Sequence, residues 1–142
     1  MKRTPRTATV ALAALLAVGS VFAGGAFAKQ VIQPSVSLSA TFSDNVHGPG
    51  KNDDGILATG VYDNVSHACK GPSGRPVYLS VSNGFTASGH TKGGGSYRKL
   101  MGPFRHGTYT VNVTVPGSVR GGYGATVVCN DASNSASVKV DD

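Results

Sequence analysis

The nine residues from Gly107 to Val115 constrain the fold of this chain most. Tyr109, Val111, Val113 and Val115 alternate with Thr108, Thr110, Asn112 and Thr114. Successive side chains of a strand point to opposite faces, so the run reads as a strand with one apolar and one polar side. Its β-branched residues suit a pleated surface. Gly107 opens the run, and Pro116-Gly117 closes it because proline cannot donate to a ladder.

Other stretches repeat the pattern. From Pro34 to Phe42, Val36, Leu38, Ala40 and Phe42 share one face, and Ser35, Ser37, Ser39 and Thr41 the other. Gly55 to Asp63, Pro76 to Ser82, Tyr97 to Met101, Ala125 to Cys129 and a last strand marked by Ala136, Val138 and Val140 follow. Asn83-Gly84 predicts a two-residue type I′ turn that returns Phe85 to Ser88 as a hairpin. Residues 43–55 and 117–124 read as polar, glycine-rich loops. About eight short strands with frequent turns predict an all-β fold: a single antiparallel β-sandwich, immunoglobulin-like or transthyretin-like, of about 7–8 strands.

The N-terminus reads as a signal peptide. Lys2, Arg3 and Arg6 precede a mainly apolar run from Ala8 to Val18, too short to span a membrane. Ala26-Phe27-Ala28 then satisfies the small-residue cleavage rule, which divides the chain into a leader, 1–28, and a sandwich domain, 29–142. Cleavage there removes 28 of 142 residues and leaves 114, enough for one core. It also removes three of the 13 Lys and Arg residues. Ten remain against seven Asp, so the formal charge falls from +6 to +3. That weakly basic balance does not point to nucleic acid. The chain has no Glu and no Trp, and Gly, Ser, Thr and Val dominate after residue 29, which disfavours helices.

Both cysteines, Cys69 and Cys129, lie beyond the leader. An isolated pair outside the cytosol is expected to oxidise, closing a loop that runs from 69 to 129. Loop-closure entropy makes such a bridge worth roughly 4 kcal/mol. Two free thiols or half of a metal site are the alternatives, and two Cys with no neighbouring CxxC make a poor zinc site.

The run from Gly60 to Val140 resembles the transthyretin-like, carboxypeptidase-regulatory-like sandwich domains of exported actinobacterial proteins. The residues that carry the likeness are Gly60-Val61, Cys69, Gly74-Arg75-Pro76-Val77-Tyr78-Leu79, Thr91, Gly95-Ser96-Tyr97, Gly107-Thr108-Tyr109-Thr110-Val111, Cys129 and Ser137-Val138-Lys139-Val140. The resemblance implies a seven- or eight-stranded sandwich and a Cys69–Cys129 bridge. It implies no catalytic residue and a structural, adhesive or chaperone-like role.

The residues offer few reactive constellations. His47, His67, His90 and His106 show no i, i+2 or i+4 pairing, so no local metal grip exists. Asp44, Asn52, Asp53 and Asp54 carry calcium-type oxygens without EF-hand spacing, and a plain turn explains them better. No Gly-x-Ser-x-Gly elbow occurs, and the carboxylates are Asp alone, mostly in loops. Lys92, Arg98, Lys99 and Arg105 cluster in sequence, with Tyr97, Phe104 and His106 among them, and are the candidates for contact with a polyanion. The competing reading, preferred here, is that they protect a strand edge. Asn64-Val65-Ser66 and Asn112-Val113-Thr114 match the glycosylation sequon, but the leader and composition look bacterial, so both read as incidental.

These features predict a secreted, non-catalytic protein without a cofactor, with a structural or binding role at the cell surface or in the medium. Its expected partner is a cell-surface polymer or protein, with no nucleic acid and no membrane after leader cleavage. The alternatives are a secreted effector or inhibitor that presents the 43–55 loop to a protein target, and a metal-binding protein or enzyme.

Overall fold

A computed structural model describes residues 20–24, 27–44, 53–63, 69, 71–122 and 125–141. Among these, the strands are β1 (Ser20–Gly24), β2 (Phe27–Ile32), β3 (Ser35–Val36), β4 (Ser39–Ser43), β5 (Gly55–Asp63) and β6 (Pro76–Val81). They continue as β7 (Thr86–His90), β8 (Ser96–Met101), β9 (Gly107–Val115), β10 (Ser118–Gly122), β11 (Ala125–Cys129) and β12 (Ala132–Val140). A 3-10 turn, Gly93–Gly95, precedes β8.

Strand β9 is paired along both edges, with β12 and with β6, in an antiparallel sheet ordered β12-β9-β6-β7. Opposite it lies a sheet in which β5 pairs β3 and β4 on one edge and β8 on the other. β3 and β4 keep one register along β5, from Ser35 opposite Asp63 to Ser43 opposite Gly55, so they act as one interrupted strand. The inward residues of both sheets close a common core. Val111, Val113 and Val115 of β9 meet Val77, Leu79 and Val81 of β6, Ala136 and Val138 of β12, and Leu38, Ile56, Ala58 and Met101 from across the sandwich. Counting β3 and β4 as one, seven described strands form an antiparallel β-sandwich, as the alternation predicts.

The interruption at Ser37 has a local cause. The Tyr97 hydroxyl on β8 donates a 2.5 Å hydrogen bond to the Ser37 carbonyl, reaching across the middle strand β5. The Ser37 hydroxyl replaces that carbonyl in the ladder and accepts the Val61 N–H at 2.8 Å. Gly60 lies beneath the ring: a Cβ there would strike both the Ser37 carbonyl oxygen and the Tyr97 ring. One glycine therefore lets a buried tyrosine clip three adjacent strands together.

The β6–β7 hairpin differs from the expected two-residue turn. Val81 pairs Phe85 through a 2.8 Å bond from the Val81 N–H, so the loop has three residues, Ser82 to Gly84. Gly84 sits at φ +91° and the Asn83 side chain accepts the Phe85 N–H. Side-chain parity explains the change. The three-residue loop sets Leu79 opposite Ala87 and Val77 opposite Gly89. A two-residue loop would turn Thr86 and Ser88 into the core and Phe85 out of it.

A third sheet, ordered β1-β2-β11-β10, extends the sandwich, and its central β2–β11 pairing is parallel. The 117–124 segment, read as a loop, contributes β10 to this sheet, paired from Ser118 opposite Cys129 to Gly122 opposite Ala125. β1 and the first two residues of β2 fall within the expected leader. Residues Lys29 to Ile32 pair Thr126 to Cys129 on the edge opposite β1. Of the other expectations, His47, Asn52, His67, the Asn64-Val65-Ser66 sequon and the middle of the 43–55 loop lie outside the described residues.

Burial raises the Tyr97 hydroxyl pKa above its ordinary value, and burial raises Tyr62 likewise. The folded protein then holds the Tyr97 proton to a higher pH than the unfolded chain does. Its contribution to stability is complete below pH ~10 and declines as pH rises beyond that. Chemical unfolding of wild type and Tyr97→Phe across alkaline pH checks this. The variant is expected to be less stable at neutral pH by about 1–3 kcal/mol, because the Ser37 carbonyl loses its donor. It is also expected to lose stability less steeply as the solution becomes alkaline.

Candidate functional site

Three segments run between the sandwich and the third sheet, at Gln33-Pro34, Pro116-Gly117 and Asn130-Asp131. They are tied to one another by polar contacts. The Gln33 side-chain amide donates to the carbonyls of Pro34 at 3.1 Å and Asp131 at 3.0 Å, and accepts from Asn130 at 3.2 Å. The Gly117 N–H donates to the Asp131 carboxylate at 2.6 Å. A Cβ on Gly117 would run into the Cys129 carbonyl, so only glycine permits this approach. An open groove of about 590 Å³ lies here, lined by Gln33, Ser118, Asn130 and Asp131 among others.

Arg75 anchors the same junction. It is only 7% exposed, donates from Nη2 to the Pro116 carbonyl at 2.8 Å, and lies 5.8 Å from the ring centroid of buried Tyr62. A buried guanidinium is costly unless hydrogen-bonded or stacked, and Arg75 has both kinds of contact. Cys69 and Cys129 are joined by a disulfide with Cα atoms 6.0 Å apart. They form a small cluster of their own with Ile32 and Val127, outside the main core. The bridge therefore fastens the segment between β5 and β6 to the third sheet, at the rim of the sandwich.

The cations that cluster in sequence are dispersed by the strand. Arg98 is exposed on the outer face of β8, whereas half-buried Lys99 shares the inner side with Tyr97 and Met101 and pairs Ala58. Among the described residues β8 pairs β5 alone, and an inward-pointing lysine on such an edge strand discourages edge-to-edge association. Lys92 is exposed before the 3-10 turn. Arg105 is exposed beyond β8, its carbonyl accepting the Tyr109 hydroxyl at 2.6 Å. The four do not share one face.

The described end of the 43–55 loop does meet the 102–106 segment. The Phe104 N–H donates to the Asp54 carbonyl at 2.7 Å, and His106 Nε2 lies 3.5 Å from the buried Asp54 carboxylate. Phe104 packs edge-on against Phe85 at 5.1 Å and lies 5.3 Å from the Tyr109 ring, closing this end of the sandwich. Among the described residues no group of three or more His, Cys, Asp or Glu converges as a metal site would require.

The outer face of the β12-β9-β6-β7 sheet is lined mainly by small polar residues. Register aligns Ser133, Thr114, Tyr78 and Ser88 in one row across the four strands. Ser135, Asn112, Ser80 and Thr86 form the next row. The Tyr78 ring stands among these small hydroxyl and amide groups and is 52% exposed. The sequence places Asn112 on a polar face and marks Tyr78 only as part of the 74–79 run, with no surface role, because one aromatic residue in an alternating strand is ordinary. Its position between Val77 and Leu79, on the face opposite theirs, was the available signal.

Comparison of the chain with protein-family models, with curated proteins and with solved structures finds no match in any of the three.

The disulfide predicts a measurable stability difference. Replacing Cys69 and Cys129 together with Ser is expected to cost about 2–5 kcal/mol in denaturant unfolding while the circular dichroism of the sandwich is retained. Titration of the unreduced, denatured wild type should find no reactive thiol.

Proposed function

We propose that this is a secreted, non-catalytic β-sandwich that acts by presenting a rigid surface to a partner at the cell surface or in the medium. The observation that carries this reading is the outer face of the four-stranded sheet. Eight side chains in two aligned rows, Tyr78 among them, are not needed for the core and stand on four hydrogen-bonded strands. A site built on strands is held more rigidly than one built on loops. The signal-like N-terminus and the disulfide support an exported location. The likeness to transthyretin-like sandwich domains agrees with a binding or structural role, and fold alone assigns no activity.

A second reading, a secreted effector or inhibitor that presents the 43–55 loop, draws on a different observation. Asp53 and Asp54, at the C-terminal side of that loop, are buried, and Asp54 is held by Phe104.

Fractionation of a producing culture with tagged protein tests the proposal. The expected result is processed protein beginning at Lys29, retained on the cell surface or captured with a partner from the medium. Tagged protein that remains cytoplasmic contradicts it, as does exported protein that stays wholly unbound. Replacing residues 45–52 with a Gly-Ser segment separates the two readings: loss of partner capture favours the loop, and unchanged retention favours the sheet.

A further inference from the structure

We propose that the outer face of the β12-β9-β6-β7 sheet binds an uncharged, polyhydroxylated glycan chain, with Tyr78 as its stacking platform. This deepens the binding-module reading and rests on it.

The argument begins with what the face offers. In an antiparallel sheet, residues opposite one another on adjacent strands lie about 5 Å apart, and residues two apart along a strand about 7 Å. The two rows, extended by Ser137 and Thr110, therefore form a regular grid of hydroxyl and amide groups. Ser133, Ser135, Ser137, Thr110, Asn112, Ser80, Thr86 and Ser88 are exposed, and Thr114 is half-exposed. Each hydroxyl both donates and accepts, and the Asn112 amide carries two donors and one acceptor. A partner whose own surface is a repeat of hydroxyl groups matches that inventory.

Charge narrows the partner. No carboxylate or arginine occupies an outward position on these four strands among the described residues. Lys139 lies at one end and is paired with Asp141 at 3.0 Å, and His90 lies at another corner. The face is thus nearly neutral in a chain with a net positive formal charge. An anionic polymer would find its cations elsewhere, at Arg98 or Arg105. An apolar protein surface would find only Tyr78 and Pro76 to bury, too little for a hydrophobic interface.

Tyr78 supplies the one strong contact. Its neighbours across the strands are Thr114 and Ser88, and along β6 they are Pro76 and Ser80. The small side chains on three sides leave the ring open to a flat ligand. The face of an aromatic ring is electron-rich and attracts the weakly positive C–H groups on one side of a sugar ring. Its hydroxyl and the surrounding grid then bond the equatorial groups at the rim. Each such bond merely replaces one to water and contributes little. A polymer gains from presenting the same unit repeatedly, so a chain is favoured over a single sugar.

The test is affinity electrophoresis of oxidised protein in gels containing soluble neutral glycans (xyloglucan, glucomannan, mannan and laminarin), with pull-down on insoluble cellulose and chitin. Heparin serves as the polyanion arm. Retention by at least one neutral glycan, insensitive to added salt, is expected. Tyr78→Ala should weaken it about tenfold or more, Tyr78→Phe should weaken it far less, and Val119→Ala on β10 should leave it unchanged. Tyr78 is outside the core, so an unaltered thermal midpoint for Tyr78→Ala checks that the fold is intact. Equal retention of Tyr78→Ala and wild type overturns the proposal, and so does wild type held by heparin alone. If the culture fractionation shows surface retention while no neutral glycan holds the purified protein, the glycan assignment fails and the binding-module reading stands.

Discussion

The strict two-residue alternation of β9 is the constraint on which the other strands depend. Val111, Val113 and Val115 are fully buried, and the residues between them face outward. A shift of one residue against β12 or β6 would exchange the two sets and place Thr and Asn in the core. The same alternation therefore does two things. It fixes the register of both neighbouring strands, and it lines up the Ser, Thr and Asn residues of the opposite side in straight rows. The hairpin loop of three residues at Ser82 to Gly84 follows from the same parity, because it keeps Phe85 and Ala87 on the side of Val81 and Leu79.

Two further devices connect the parts that alternation alone leaves separate. Tyr97, lying over Gly60, ties the outer strands of the smaller sheet to each other across β5. Arg75, lodged between Tyr62 and the Pro116 carbonyl, holds the place where the chain leaves the sandwich for the third sheet. The disulfide adds a covalent tie at the same junction. The sandwich core is apolar and continuous, whereas the junction is largely polar and closed by directional bonds. The two regions thus rest on different physics, burial in one and cross-linking in the other.

A clean period of two made β9, with its bounds, and the β3–β4 strand legible in the sequence; β5 and β11 with their bounds, β6 and most of β8 were legible as short apolar runs between turn residues. What was not legible depends on partners far away in the chain. β10 is glycine-rich and has few residues that favour strands, so only its pairing with β11 reveals it. The parallel β2–β11 pairing joins segments from opposite ends of the chain, and no local pattern signals it. The basic cluster around β8 illustrates the converse. Arg98 and Lys99 are neighbours in sequence, yet a strand sends them to opposite sides. Tyr78 shows why a surface is harder to read than a core. Its hydroxyl surroundings come from three other strands and exist only once their registers are set.

Native-state hydrogen exchange resolved by residue, on oxidised and on reduced protein, tests most directly whether a burial-driven sandwich carries a third sheet held by its bridge. The account predicts that β9, β6 and β12 contain the slowest amides in both forms and lose on reduction only the global difference of about 2–5 kcal/mol, while β10 and β11 lose nearly all their protection. A third sheet that loses no more protection on reduction than β9 does would contradict it, as would a complete loss of protection in β9, β6 and β12.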